Sequence, residues 1–251
     1  MKALVRKVMG SLAAVTLLTG MMLAQTASVA RYDSSIEQKV TEELSQKKQF
    51  RNVQASVEDG IVTLKGTVDL YQDKLDAAKK AKKTEHASGV RNLIEVAGPT
   101  VSDSQLQAQL AKKLRYDRVG YYDNMFDYLT IGVNNGVATI SGETLNDVAR
   151  DSALAIVQRM PGVKDVVSNV TVLPVSNFDD SIRLGTARAI YRDPVLGKYA
   201  TDPARPIRII VDRGTVSLYG AVESAMDKTI AGIRANEVPG AFRVENHLTV
   251  D

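Results

Sequence analysis

Gly60-Ile-Val-Thr-Leu-Lys-Gly66, Gly136-Val-Ala-Thr-Ile-Ser-Gly142 and Gly214-Thr-Val-Ser-Leu-Tyr-Gly220 are three versions of one glycine-framed stretch. Alternation of apolar and polar residues marks a strand with one buried face. Read forward without gaps, each stretch meets the same later apolar set: Val90/Ile94/Val96, Val166/Val170/Val172 and Val244/Leu248/Val250. The chain is therefore an internal repeat. Read backward, each stretch is preceded by a second alternating strand, carrying Val53/Ala55/Val57, Leu129/Ile131/Val133 and Ile207/Ile209/Val211. Asp59-Gly60, Asn135-Gly136 and Arg213-Gly214 lie between the paired strands. The first two suit the positive φ angles of a tight hairpin turn.

Helices flank each hairpin. Ile36/Val40/Leu44 and Leu106/Leu110/Leu114 form amphipathic stripes, and Ile182/Thr186/Ile190 hold the same stripe less well. Ser34-x-x-Glu37 reads as a capping box for the first helix. Beyond the second glycine, Val148/Ser152/Ala155/Ile156 and Met226/Ile230/Ile233 read as the buried face of another helix. The unit is thus helix–strand–strand–helix–strand, with a right-handed parallel final crossover. The expected fold class is α+β: three tandem small domains, each a three-stranded mixed sheet with two helices on one face. Their expected bounds are 34–96, 102–172 and 179–250. At ~70 residues apiece each core is marginal. Connectors as short as Ala97-Gly98-Pro99-Thr100 and Leu173-Pro174-Val175-Ser176-Asn177 should let neighbouring units lean on each other.

Composition excludes much. The 251 residues contain no Cys, which removes disulfides, thiolate metal sites and cysteine nucleophiles. Two histidines, His86 and His247, leave little for metal or triad chemistry, so no metal, cofactor or catalytic residue is expected. Residues 1–30 hold Lys2, Arg6 and Lys7, then an apolar run from Val8 to Leu23, then Ser28-Val29-Ala30. That pattern is read as a cleaved signal peptide, with a retained membrane anchor as the alternative. No cysteine stands at the cleavage point to accept a lipid, so the expected location is periplasmic. Without residues 1–30 the chain has 29 basic and 29 acidic side chains, and nucleic acid is not an expected partner.

The run hydrophobic-x-Gly-x-Val-x-Leu-x-Gly, a helix, then Pro-Gly-Val-x-x-Val resembles the BON domain, a family named for OsmY-like periplasmic and nodulation proteins. Pro161-Gly162-Val163-Lys-Asp-Val166 and Pro239-Gly240-Ala241-Phe-Arg-Val244 carry the motif, whereas the first unit has Glu85-His86 in place of Pro-Gly. The resemblance covers about residues 34–250. It implies a non-enzymatic envelope protein, in a family whose members are associated with osmotic or other envelope stress and in some cases with anionic phospholipid. It supplies no catalytic residues. Fold alone does not transfer function.

Candidate contacts follow. Gly60, Gly66, Gly136, Gly142, Gly162, Gly214, Gly220 and Gly240 read as structural, with Gly66, Gly142 and Gly220 placed between strand and helix. Lys79, Lys80, Lys82 and Lys83 crowd the second helix of unit one. They form either a surface for anionic lipid or a solvated helix face. The segment Tyr116–Tyr128 holds five of the 13 aromatic residues and lengthens the helix-to-strand connection of unit two. Tyr121, Tyr122 and Phe126 are its candidate contacts with a membrane or an envelope protein; the alternative is packing against a neighbouring unit. The leading expectation is an envelope protein that binds phospholipid, and its rival is a protein-interaction scaffold without lipid binding.

Overall fold

The computed structural model describes residues 32–117, 125–202 and 205–251. These residues form three α+β units, each a three-stranded mixed sheet carrying two helices. In unit one the order is α1 (Asp33–Ser45), β1 (Val53–Glu58), β2 (Ile61–Val68), α2 (Tyr71–Lys83) and β3 (Gly89–Val96). Unit two repeats it as α3 (Asp103–Tyr116), β4 (Tyr128–Asn134), β5 (Val137–Thr144), α4 (Asp147–Gln158) and β6 (Asp165–Val172). Unit three has α5 (Asn177–Tyr191), β7 (Arg208–Asp212), β8 (Thr215–Tyr219), β9 (Ala221–Val222), α6 (Ala225–Asn236), β10 (Arg243–Asn246) and β11 (Thr249–Val250). The hairpin strands pair antiparallel and the last strand pairs parallel with the middle one, as β1–β2–β3 and β4–β5–β6. Unit one and the rest of the chain are two compact bodies divided between Gly98 and Pro99.

The hairpin turns take positive φ at both central residues: Asp59 and Gly60, Asn135 and Gly136, Arg213 and Gly214. Each turn is held by an aspartate in the first turn of the unit's first helix. Asp33 accepts from the Asp59 and Gly60 N–H groups at 2.9 and 2.8 Å. Asp103 does so for Asn135 and Gly136 at 2.6 and 2.9 Å. Asp179 does so for Arg213 and Gly214 at 3.2 and 2.8 Å. In unit one this replaces the capping box: Tyr32 is the residue before the helix, with no side-chain cap. Ser102, Ser176 and Asn146 do cap α3, α5 and α4.

Gly66 and Gly142 lie inside β2 and β5, opposite Val53 and Leu129, rather than between strand and helix. Both strands run two residues further alongside the parallel partner. At φ +117 and +127, an added Cβ would stand 1.9 Å from Asn52 O and 2.1 Å from Tyr128 O. In unit three the strand breaks at Gly220, between β8 and β9. His86 takes the positive φ, 69°, that Gly162 and Gly240 take in the other units, and it stacks on Tyr32 with ring centroids 4.1 Å apart.

The first helices bury the stripes read from the sequence: Ile36/Val40/Leu44, Leu106/Leu110/Leu114 and Ile182/Thr186/Ile190. The second helices do not. The fully buried faces are Ala149/Ala153/Val157 and Asp227/Ala231/Ala235, matching Ala77/Ala81 in unit one, instead of the expected Val148/Ser152/Ala155/Ile156 and Met226/Ile230/Ile233; of the latter, Ile230 still packs, partly buried, against the core of unit three. A helix lying close on a sheet buries its smallest side chains there, and the wider apolar residues turn outward.

Candidate functional site

Because α2 presses Ala77 and Ala81 inward, its lysines are directed outward. Lys79, Lys82 and Lys83 are exposed and Lys80 is half-buried. Lys79, Lys80 and Lys83 line a cleft of about 480 Å³ with Lys47, Glu43, Gln49, Asp76 and the buried Phe50. Lys80, Lys82 and Lys83 lie in the last helical turn, where cations complement the carbonyl end of the helix dipole. Among the described residues, Lys79, Lys80, Lys82 and Lys83 make no ion pair; the nearby Glu85 is taken by Lys39 at 3.2 Å. Burial, then the neighbouring Asp76 and Asp69, push the Asp73 carboxyl above its ordinary value.

The same groove recurs in the other units with different chemistry. Counted from the strand glycine, Gln72, Asp76, Lys79, Lys80 and Lys83 correspond to Val148, Ser152, Ala155, Ile156 and Arg159. In unit two these last five line a cleft of about 650 Å³ with Met160, Pro161 and the paired Lys113 and Asp117, 2.9 Å apart. Val148 is 59% exposed. The corresponding residues of unit three are Met226, Ile230, Ile233, Arg234 and Glu237. Here Arg234 reaches Asp193 on the facing segment at 2.8 Å, holding that carboxyl below its usual range. The 3₁₀ turn Leu196–Ala200 seats Leu196 and Tyr199 in the core. The Tyr199 hydroxyl donates to Asp227 and accepts from the Glu223 N–H. Lys198 pairs with both Glu223 and Asp227, at 2.6 and 2.9 Å. One groove is therefore basic, one apolar and one bridged by the chain itself.

Tyr121 and Tyr122 lie outside the described residues. Phe126 is half-buried and packed against the core of unit three, so its contact lies within the chain. Around it the second and third units are joined. Ile209 N–H donates to Met125 O at 2.7 Å, and Arg208 donates to Asp127 O at 2.7 Å. Tyr128 stacks on Tyr219 at 3.9 Å, and Tyr219 on His247 at 4.9 Å. Desolvation, then the facing Asp212, raises the Glu143 carboxyl above its ordinary value. Burial followed by the charge of Glu143 raises the Tyr219 phenol. For Phe126 the structure therefore takes the alternative that the sequence offered, packing against a neighbouring unit. The signal available was its position in a connection longer than that of unit one.

His86 and His247 are solitary with respect to metal: among the described residues no group of three or more His, Asp or Glu is placed to hold an ion. No described helix is long and apolar enough to cross a membrane.

The family model described as BON domain matches residues 32–98, 102–174 and 195–251. An uncharacterized protein encoded in the gshII 5′ region of Anaplasma centrale is 29% identical over 144 residues, covering 55% of this chain and 93% of that protein. Among solved structures, CdsD, a structural protein of the type III secretion system of Chlamydia trachomatis, is 13% identical. That alignment covers 85% of this chain and 91% of CdsD, with a TM-score of 0.25. The periplasmic domain of the type III secretion inner-membrane protein PrgH from S. typhimurium is 11% identical, covering 84% of this chain and 98% of that one, with a TM-score of 0.20. Scores this low carry neither fold nor function across.

Proposed function

The chain belongs to the BON domain family, and on that premise we propose that it is a non-enzymatic protein of the periplasm that binds anionic phospholipid and supports the cell envelope under stress such as osmotic change. The observation that carries this reading is the basic cleft of unit one, where Lys79, Lys80, Lys83 and Lys47 outnumber Glu43 and Asp76, and no ion pair with a described residue neutralises the four helix lysines. Close-set ammonium groups repel one another, and an anionic surface relieves that repulsion. Each lysine near such a surface gains about 1 kcal/mol, within a Debye length. Export rests on the basic start, apolar run and Ser28-Val29-Ala30 of residues 1–30.

Vesicle flotation tests it. The protein floats with phosphatidylglycerol vesicles and not with phosphatidylcholine, and added salt weakens the association. Changing Lys79, Lys80, Lys82 and Lys83 together to Gln abolishes flotation while circular dichroism stays unchanged. Equal flotation of the Gln variant, or equal binding to both lipids, overturns the lipid reading. The apolar cleft of unit two favours a second reading, a protein scaffold. In that case Val148→Asp/Ile156→Asp loses a crosslinked envelope protein and vesicle binding is absent from the start.

A further inference from the structure

The long connection of unit three ends in Arg205-Pro206-Ile207-Arg208, and the lipid reading makes no use of its two arginines. They meet a third, Arg115 from the last turn of α3 in unit two, around a cleft of about 520 Å³. Tyr128 and His247, the outer members of the aromatic stack, line the same cleft. We propose that this cleft binds a small soluble oxyanion, a phosphate or carboxylate compound, held between the second and third units by Arg115, Arg205 and Arg208.

The three guanidinium groups are committed to different degrees. Arg208 is positioned by a hydrogen bond of 2.7 Å to the Asp127 carbonyl. Arg205 is tied to Asp202 through Nε at 3.0 Å, which leaves its terminal nitrogens for other acceptors. Arg115 is exposed and makes no ion pair among the described residues. Among the described residues Asp251 lines the cleft and Asp202 pairs with Arg205 from outside it, so three arginines stand against two carboxylates. Guanidinium is planar, weakly hydrated and presents paired donors that match the oxygens of carboxylate and phosphate. Small-molecule sites run from about 300 to 1,000 Å³, so the cleft is of the right order for a compact organic anion. A wall of Tyr128, His247 and Pro206 sets a partly apolar side against the charged one. Since Arg115 comes from one unit and Arg205 and Arg208 from the next, the bound anion bridges the two and stabilises their junction.

Isothermal titration of the whole protein with inorganic phosphate, glycerol 3-phosphate and citrate tests the assignment. At least one probe binds, and Arg115→Gln/Arg205→Gln weakens it tenfold or more while the unliganded melting temperature is unchanged. Arg115→Lys keeps the charge but loses the paired donors, and gives an intermediate affinity. Bound probe also slows amide exchange in β4 and β7 of the wild type. The Lys79/Lys80/Lys82/Lys83→Gln variant binds the soluble probe normally, which keeps this site separate from the basic groove of unit one. Absence of binding by all three probes at 10 mM overturns the proposal, as does undiminished binding by the arginine variant. Loss of phosphatidylglycerol vesicle binding in that variant, with no soluble probe bound by the wild type, reassigns the arginines to a membrane surface and likewise overturns it.

Discussion

Replacing Gly142 by Ala adds one methyl group to β5, and its cost can be worked from the geometry. The backbone there has φ +127, a region that residues other than glycine rarely occupy. Holding a side-chain-bearing residue in such a conformation costs about 1–3 kcal/mol. The new Cβ would also stand 2.1 Å from Tyr128 O and 3.2 Å from Leu129 Cα. Both atoms are backbone, so no side chain can swing aside. β4 must retreat by roughly 1 Å, and the hydrogen bonds around the Leu129–Gly142 pair are lost at about 0.5–1.5 kcal/mol each. With two such bonds lost the total is roughly 2–6 kcal/mol, a large share of the ~5–15 kcal/mol that holds a domain folded. Valine adds its stiff branched side chain to the same clash and costs more.

The two sister glycines make the argument discriminating. Gly66→Ala meets Asn52 O at 1.9 Å and should cost as much. Gly220→Ala meets Pro206 O at 3.0 Å, so a shift of a few tenths of an ångström suffices and little beyond the φ cost remains. Gly132→Ala, with nothing within 4 Å of the added Cβ, is the control. Urea unfolding followed by circular dichroism gives the overall loss. Native-state hydrogen exchange assigns it to a unit, since a multi-unit chain need not unfold in one step. Equal costs at Gly142 and Gly220, or a cost at Gly142 no larger than at Gly132, would refute the reasoning.

Three further outcomes are expected. Asp103→Ala removes both acceptors of the Asn135-Gly136 turn and should lower unit two's stability by about 1–2 kcal/mol in urea, with an unchanged midpoint showing that the turn holds itself. Glu143 has a folded-state pKa above its ordinary 4.5, so the folded chain holds that proton more tightly than the unfolded one. Its favourable contribution is full below 4.5 and is lost as pH rises through the raised value. Glu143→Gln should therefore raise the melting temperature at neutral pH and leave it unaltered near pH 4; a loss at neutral pH would contradict this. N-terminal sequencing of envelope material should begin at Arg31, and a retained Met1 would count against export by cleavage.

The hairpins and first helices were legible because each is written locally: alternation for the strands, and Ile36/Val40/Leu44 or Leu106/Leu110/Leu114 for the helices. The second helices carry two apolar stripes, Val148/Ala155/Ile156 and Ala149/Ala153/Val157, and periodicity cannot rank them. Distance from the sheet decides, and it selects the alanines. The strand glycines were misplaced because β2 and β5 run on past them through a parallel pairing set by a strand some 28 residues away. The aspartate clamp on each turn joins positions far apart in the chain, and no short-range pattern carries it; packing of Phe126 on a neighbouring unit was open in the sequence, but not which residues receive it. The lysine face of α2 was legible as a run of charge, but not its convergence with Lys47 and Phe50 into one cleft.

The repeat also shows where its function is free to vary. On the second helix of every unit the inward stripe is fixed by contact with the sheet, and it stays small: Ala77/Ala81, Ala153/Val157 and Ala231/Ala235. The neighbouring stripe is more exposed, with Val148, Met226 and Ile233 turned to solvent, so its chemistry is less tied to the fold. It has become lysine-rich in unit one and apolar in unit two. In unit three it is joined to the facing segment by Arg234–Asp193, beside a turn that fills the core with Leu196 and Tyr199. A bridged groove gives up binding capacity for internal stability, and unit three is also the copy whose strands are most broken and have most need of it. Three copies of one framework thus differ at one groove: the first two leave it open, and the third bridges it with its own chain.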